Sequence, residues 1–183
     1  RRSVFEIPVL AIDTVEFYKN DSALYDEILA HRLGLVPLKS SKTFTKRQEC
    51  TCKGKGCLKC TASLKLKVKG PRTVYTSDLK DKSVDIVYKD MPLVLLEKDQ
   101  ELELSVEAVL GEGREHVKFN PGLVWFNIGN ESSLKPSKEN ENTITFFVES
   151  FGQLKPEEIF IESINALNEN LDSLAKQLKK EKS

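Results

Sequence analysis

All four cysteines of this chain lie in one short segment, and their spacing limits what that segment can form. The spacing is C-x-C-x4-C-x2-C, made by Cys50, Cys52, Cys57 and Cys60. Four thiolates can complete a tetrahedral shell around zinc, and the glycines between the two pairs let the backbone turn back on itself. Since four protein ligands leave no position for a reacting water, the site would be structural. An iron–sulfur cluster, disulfides or metal-free thiols are the alternatives, although the usual iron–sulfur spacings differ.

The residues around the cysteines predict a loop set among β-strands. From 38 to 61 there is no hydrophobic period, so we expect a loop that needs an additional constraint to become ordered. Residues 63–69 alternate strictly between polar and apolar, as in a strand with one solvated face. The close grouping of the four cysteines is more typical of a metal site in a reducing compartment than of the disulfide framework of a secreted domain. Further strands are predicted in the segment 4–18 and at 73–75, 93–96, 101–110, 123–128 and 143–149, with a linker or a long turn at 130–142.

A first helix is predicted from Asp21 to Leu33. Asn20, Asp21 and Ser22 are candidate N-caps, and Gly34 stands where a C-terminal cap is expected. Pro37 prevents the helix from continuing.

A second helix is predicted to begin at Pro156, with two glutamates in its first turn. Large apolar residues then recur at alternating steps of four and three, which is a heptad seam. We call this set the seam: Phe160, Ile164, Leu167, Leu171, Leu174 and Leu178. A seam this narrow favours a second helix opposite it. The alternative is a helix packed on the chain's own sheet, and both arrangements can hold together.

Charge and motif content argue against several functions. The 28 basic and 28 acidic residues cancel, so the chain lacks the bulk charge that a stand-alone nucleic-acid binder needs. No apolar run is long enough to span a membrane, and no secretion signal is recognised. Neither His31 nor His116 stands in a catalytic motif, and phosphate-binding and nucleophile motifs are absent. The chain starts at Arg1 and its only methionine is Met91, so we expect a truncated or processed N-terminus.

Four segments together resemble one family. Residues 22–38 (SALYDEILAHRLGLVPL) resemble the signature of the D-type subunit of archaeal RNA polymerase, of the third-largest eukaryotic polymerase subunit and of their relative, the N-terminal domain of the bacterial alpha subunit. Residues 7–13 (IPVLAID), 113–121 (GREHVKFNP) and 148–156 (VESFGQLKP) are similar to other family segments and occur in the same order.

The resemblance implies an α+β fold with two interleaved domains. An alpha-subunit-like dimerisation domain, an antiparallel sheet with helices, would comprise residues 1–12 and 131–183. A β-rich insert domain, residues 13–130, would carry the cysteine loop 50–60, which binds zinc in eukaryotic relatives. Because 130–142 contains no cysteine, the iron–sulfur domain of some archaeal members is expected to be absent. The family's first strands and half of its first helix are also expected to be missing.

The resemblance further implies a non-catalytic assembly subunit. Its partners would be a subunit L-type protein, paired through the seam, the small zinc subunits N and P, and the large, catalytic B-type subunit. Arg32 and Arg114 are predicted to serve the docking of the large subunit, with no direct sequence-specific contact to nucleic acid. The protein would be cytoplasmic if archaeal and nuclear if eukaryotic. The competing class is a free-standing structural-zinc adaptor or redox protein.

Overall fold

The computed structural model describes residues 2–40, 44–80, 84–128 and 144–181. The predicted linker at 130–142 lies outside this range. Three α-helices are described: α1 (Arg2–Phe5), α2 (Asp26–Gly34) and α3 (Pro156–Glu181). The strands are β1 (Pro8–Asn20), β2 (Thr61–Lys69), β3 (Arg72–Tyr75), β4 (Pro92–Leu96), β5 (Glu101–Glu112), β6 (Gly122–Ile128) and β7 (Ile144–Ser150). All the strand pairs are antiparallel, which confirms the predicted α+β class.

The largest sheet has the strand order β1-β5-β2, with β5 in the centre. Its register pairs Leu10 with Leu110 and Leu64 with Val106. In β2 the even-numbered residues 62–68 are buried and the odd-numbered ones 63–69 are exposed, as the alternation predicted. The buried face packs on α2 and on the β3–β4 pair and forms the main hydrophobic core.

Strand β1 links two hydrophobic clusters. Its segment 9–12 is buried on both faces, because Leu10 and Ile12 face the main core while Val9 packs with Ile159 of α3. Beyond a register shift at Asp13 the strand alternates between exposed and half-buried residues. The predicted domain boundary between 12 and 13 falls at this irregularity, inside one strand, and the domain limits stay a prediction.

Helix α2 begins later than predicted. The Asn20 side chain donates to Leu24 O (2.9 Å) and accepts from Ser22 N (3.1 Å), which closes an irregular turn over the residues assigned to the first helical turn. Side-chain bonds of this kind compete with helix formation. The helix therefore starts at Asp26, and its N-cap, Tyr25, makes no side-chain cap bond. Gly34 is the last helical residue and the C-cap is Leu35, so the predicted C-terminal cap at Gly34 lies one residue too early.

Among the described residues no helix combines the length and apolar character needed to cross a membrane. Helix α3 begins at Pro156 as predicted, with Glu157 and Glu158 in its first turn. It packs against α1 and β7, and Ile159 is its fully buried anchor.

Candidate metal centre and partner surfaces

Two tight turns bring the cysteines together. In the first, Lys53 N donates to Cys50 O at 3.0 Å, and in the second, Cys60 N donates to Cys57 O at 2.9 Å. The connection between them needs a left-handed backbone, with φ of 81° at Gly54 and 87° at Gly56. Glycine adopts this conformation without the steric cost of a Cβ, so these two residues let the turns face each other.

The four thiols form one compact group. Their sulfurs all lie within 4.8 Å of one another, including 3.5 Å between Cys50 and Cys57 and 3.6 Å between Cys52 and Cys60. A tetrahedral zinc tetrathiolate with Zn–S bonds of about 2.3 Å places its sulfurs roughly 3.8 Å apart. The group therefore fits a four-coordinate metal with little adjustment. All four cysteines are free thiols, and Cys50 and Cys60 are buried.

Local contacts favour the thiolate form at Cys52. Partial burial raises the pKa of this thiol, but hydrogen bonds with the Cys50 and Cys60 thiols act in the opposite direction. Backbone hydrogen bonds from Gly56 and Gly54 add to that effect, and the pKa falls from 9.0 to about 7. Metal ligation requires the thiolate, so the site is prepared for a cation near neutral pH.

Two consecutive basic residues fasten the cysteine loop to β5. Lys46 pairs with the buried Glu112. The Arg47 Nε donates to Gly54 O at 3.0 Å, and its guanidinium lies 3.6 Å from Glu107. The sequence prediction missed the two ion pairs with β5, because their partners are 66 and 60 positions apart and nothing in the sequence links them.

The predicted docking arginines are both exposed. Arg32, on α2, donates to Pro92 O at 3.4 Å, and Arg114 lies 2.7 Å from Glu112. Their two segments are neighbours, because α2 and the turn at 116–118 line the same cavity of about 190 Å³, to which His31 and His116 both contribute. This proximity is compatible with one docking surface, and the role of both arginines stays a prediction.

The seam of α3 is open within the described part of the chain. Its six side chains are between 39% and 54% exposed, so the chain's own sheet does not cover them. Only Phe160 makes an aromatic contact, with the Phe146 ring at 6.0 Å. Asn170, on α3, donates to Glu6 at 2.7 Å. The arrangement leaves the seam uncovered by the described residues, and its pairing with a second helix stays a prediction.

Strands β6 and β7 extend this open apolar surface, which the sequence prediction missed. On the face toward α3, Val124 and Val148 pack against the small cluster around Ile159, while two further pairs remain exposed. These pairs are Phe126 with Phe146 and Ile128 with Ile144. We call the seam together with these four residues the apolar surface. The signal was available, since both strands carry apolar residues at matched alternate positions, but the register was needed to pair them.

By its fold the chain is an antiparallel α+β protein of the alpha-subunit-like class. Residues 12–123, well over half of the chain, match the family described as RNA polymerase Rpb3/RpoA insert domain. The chain belongs to this family, so the resemblance found in the sequence is confirmed.

Curated relatives named DNA-directed RNA polymerase subunit Rpo3 are similar to the chain. That of Methanocaldococcus jannaschii is 35% identical over 179 residues, which cover 97% of this chain and 81% of the relative. That of Methanothermobacter thermautotrophicus is 47% identical over 127 residues, which cover 66% and 48%. That of Archaeoglobus fulgidus is 42% identical over 119 residues, which cover 63% and 45%. In the last two matches the aligned segment spans about half of the relative's length.

Proposed function

We propose that this chain is a non-catalytic assembly subunit of an archaeal DNA-directed RNA polymerase. The observation that carries the proposal is the 35% identity to an Rpo3 subunit over 97% of the chain. The neutral net charge and the large apolar surface agree with a protein that contacts other proteins. The comparisons give no support to a free-standing zinc adaptor or redox protein. The proposal places the protein in the archaeal cytoplasm.

For the apolar surface we propose a subunit L-type partner that supplies a helix against the seam. Full burial of one exposed large apolar side chain contributes about 1.5–3 kcal/mol. The ten side chains of the apolar surface are between 39% and 67% exposed, so roughly half of that amount remains to be gained from each, which offsets much of the entropic cost of association. The docking segments on α2 and at 113–119 would contact the large, catalytic B-type subunit, and the small subunits N and P would complete the platform on which it docks.

For the cysteine loop we propose one structural zinc ion, bound by Cys50, Cys52, Cys57 and Cys60. Support comes from the sulfur separations and from the absence of a fifth ligand within reach among the described residues. Bound zinc would order the loop and would supply no chemistry. Metal analysis of protein purified without chelator should give close to one zinc per chain. Stoichiometric iron, or protein without metal whose cysteines are joined in disulfides, would contradict this assignment.

The subunit assignment is tested by co-purification. The chain carrying an affinity tag would be expressed in an archaeal host and recovered from extract at moderate salt. We expect the large polymerase subunits and a small L-type protein to be recovered in equal amounts. The control is the same chain with Leu171→Lys and Leu174→Lys, which should lose the L-type protein. Recovery of the tagged chain alone would contradict the proposal.

A further inference from the structure

Glu112 is a buried acidic residue at the point where three segments meet. It ends β5, faces Pro8 at the start of β1, and is only 4% exposed. Burial of a carboxylate costs free energy unless cations or hydrogen-bond donors compensate its charge. Loss of a cationic partner is therefore unfavourable, which keeps the partners of Glu112 in contact with it.

The two carboxylate oxygens of Glu112 serve different segments. Oε1 pairs with Lys46 Nζ, four residues before Cys50, and Lys46 opens a turn in which its carbonyl accepts from Glu49 N at 3.0 Å. Oε2 lies 2.7 Å from Arg114 Nε, a charge contact rather than an aligned hydrogen bond. One carboxylate therefore joins the cysteine loop to the segment that carries a predicted docking arginine.

The backbone around Arg114 also depends on Glu112. Glu115 N donates to Glu112 O at 2.8 Å, and the Glu115 carboxylate accepts from Glu112 N at 3.2 Å. Arg114 N donates to Phe5 O at 3.1 Å. The turn at 113–116 is thus built on the residue that receives Lys46. Between this turn and the cysteine loop lies a groove of about 530 Å³.

We propose that Glu112 couples metal binding in the cysteine loop to the conformation of the 113–116 turn. The inference rests on the proposed metal site and adds a regulatory link to the proposed docking surface. With metal bound, the loop is fixed and keeps Lys46 on Glu112. When the metal leaves, the loop loosens and Lys46 is displaced. The buried carboxylate then lacks its main cation and must move toward solvent, and the turn that carries Arg114 moves with it.

Hydrogen exchange of the 183-residue chain tests the coupling, with zinc bound and after removal by a chelator. The readout is the exchange rate of amides in 113–120, together with zinc content measured in parallel. For the unchanged protein we expect zinc removal to raise the exchange rates at 113–120 by about tenfold or more, because the turn would open locally while the rest of the fold stays intact. Amides in the centre of β2 and β5 should change little and serve as the internal reference.

Two variants identify the route. Lys46→Met should give rapid exchange at 113–120 whether or not zinc is present, because the buried carboxylate has lost its cation. Glu112→Gln removes that buried charge, so its exchange at 113–120 should no longer respond to zinc, and both variants should still bind zinc. Because Lys46 is partly exposed, Lys46→Met keeps the test valid even if the substitution at the buried Glu112 prevents folding. Glu103→Gln is the matched control, since Glu103 lies on the same strand and pairs with Lys67 at 2.6 Å, outside the cysteine loop. This control should retain the full effect of zinc.

The outcomes separate this inference from the metal assignment. If the unchanged protein binds no zinc, the assignment fails and the coupling fails with it. If zinc binds but exchange at 113–120 does not respond to it, only the coupling is overturned. A full zinc response in Lys46→Met would likewise overturn the route through Glu112.

Discussion

Cys57 is the residue on which the geometry of the cysteine loop most depends. Its sulfur lies 3.5 Å from that of Cys50 and 3.8 Å from that of Cys60, and its amide donates to the Cys60 sulfur at 3.4 Å. Its carbonyl also accepts from both Cys60 N and Thr61 N. A single residue thus supplies a ligand, a hydrogen bond to another ligand and the carbonyl that closes the second turn.

Cys57→Ser should abolish tight zinc binding, because the hydroxyl is a poor ligand and is not ionised at neutral pH. We expect less than about one tenth of the zinc content of the unchanged protein and faster proteolysis within the loop, with the helical signal in circular dichroism retained. Thr51→Ser, an equally conservative change between two ligands, is the control and should bind zinc normally. Equal zinc content in both variants would show that Cys57 is not a ligand.

Gly111 is a second residue whose identity the structure explains. A Cβ at this position would lie 2.5 Å from two carbon atoms of the buried Phe119 ring. Gly111→Ala should therefore lower the free energy of unfolding by about 1–3 kcal/mol through overpacking. Gly34→Ala is the control, since a Cβ there would come no closer than 3.8 Å to any neighbouring atom and α2 has no positive φ at that site. Urea unfolding of both variants gives the comparison, and equal midpoints would contradict the packing argument.

At the scale of elements, the strands were the most predictable part of the chain. Alternation of polar and apolar residues indicates that a segment is a strand and shows which of its faces is buried. The observed bounds lie within two residues of the predicted ones for β2, β3, β4, β5 and β6. The start of α2 was not predictable in the same way, because Asn20 can cap a helix or close a turn and only the contacts with Ser22 and Leu24 decide between them.

The cysteine group was predictable from spacing alone. Its attachment to β5 was not, because ion pairs between distant residues leave no local pattern.

Helix α3 carries the prediction that belongs to this scale. Leu171→Lys with Leu174→Lys puts two charges at the centre of the seam, where both side chains are more than half exposed in the isolated chain. The monomer fold should survive, since the buried anchor Ile159 is untouched, but association through the seam should be lost. Sedimentation of the chain with and without an L-type partner measures this effect. We expect a defined 1:1 species only for the unchanged protein.

The matched control adds the same net charge on the opposite side of α3. With about 100° per residue, Asp172 and Ser173 lie away from the seam, so Asp172→Asn with Ser173→Lys should leave pairing intact. Normal pairing of the leucine variant would show that the seam does not form the interface.

At the scale of the whole molecule, the chain presents two chemically different surfaces on different elements. The apolar surface on α3, β6 and β7 suits a permanent partner, because obligate interfaces are more hydrophobic than transient ones. The surface formed by α2 and the 113–119 segment is charged, and its arginines are solvated. Charges at the rim of an interface contribute more to association rate and to the choice of partner than to affinity. Formation of a stable pair and recruitment of a larger subunit would thus be separable steps.

Arg32→Glu and Arg114→Glu test the second step. Each reversal should make the association between the preformed pair and the large subunit about tenfold weaker, mainly through a slower association rate that depends on salt. Arg114→Glu should have the larger effect, since it also places a second carboxylate beside Glu112 and removes the cation 2.7 Å from it. Lys98→Glu, at an exposed position between β4 and β5, is the control for an equal change in charge. Association rates measured by surface plasmon resonance at two salt concentrations test this role. If the arginines serve docking, both arginine variants should associate more slowly than Lys98→Glu, and the difference should shrink as the salt concentration rises.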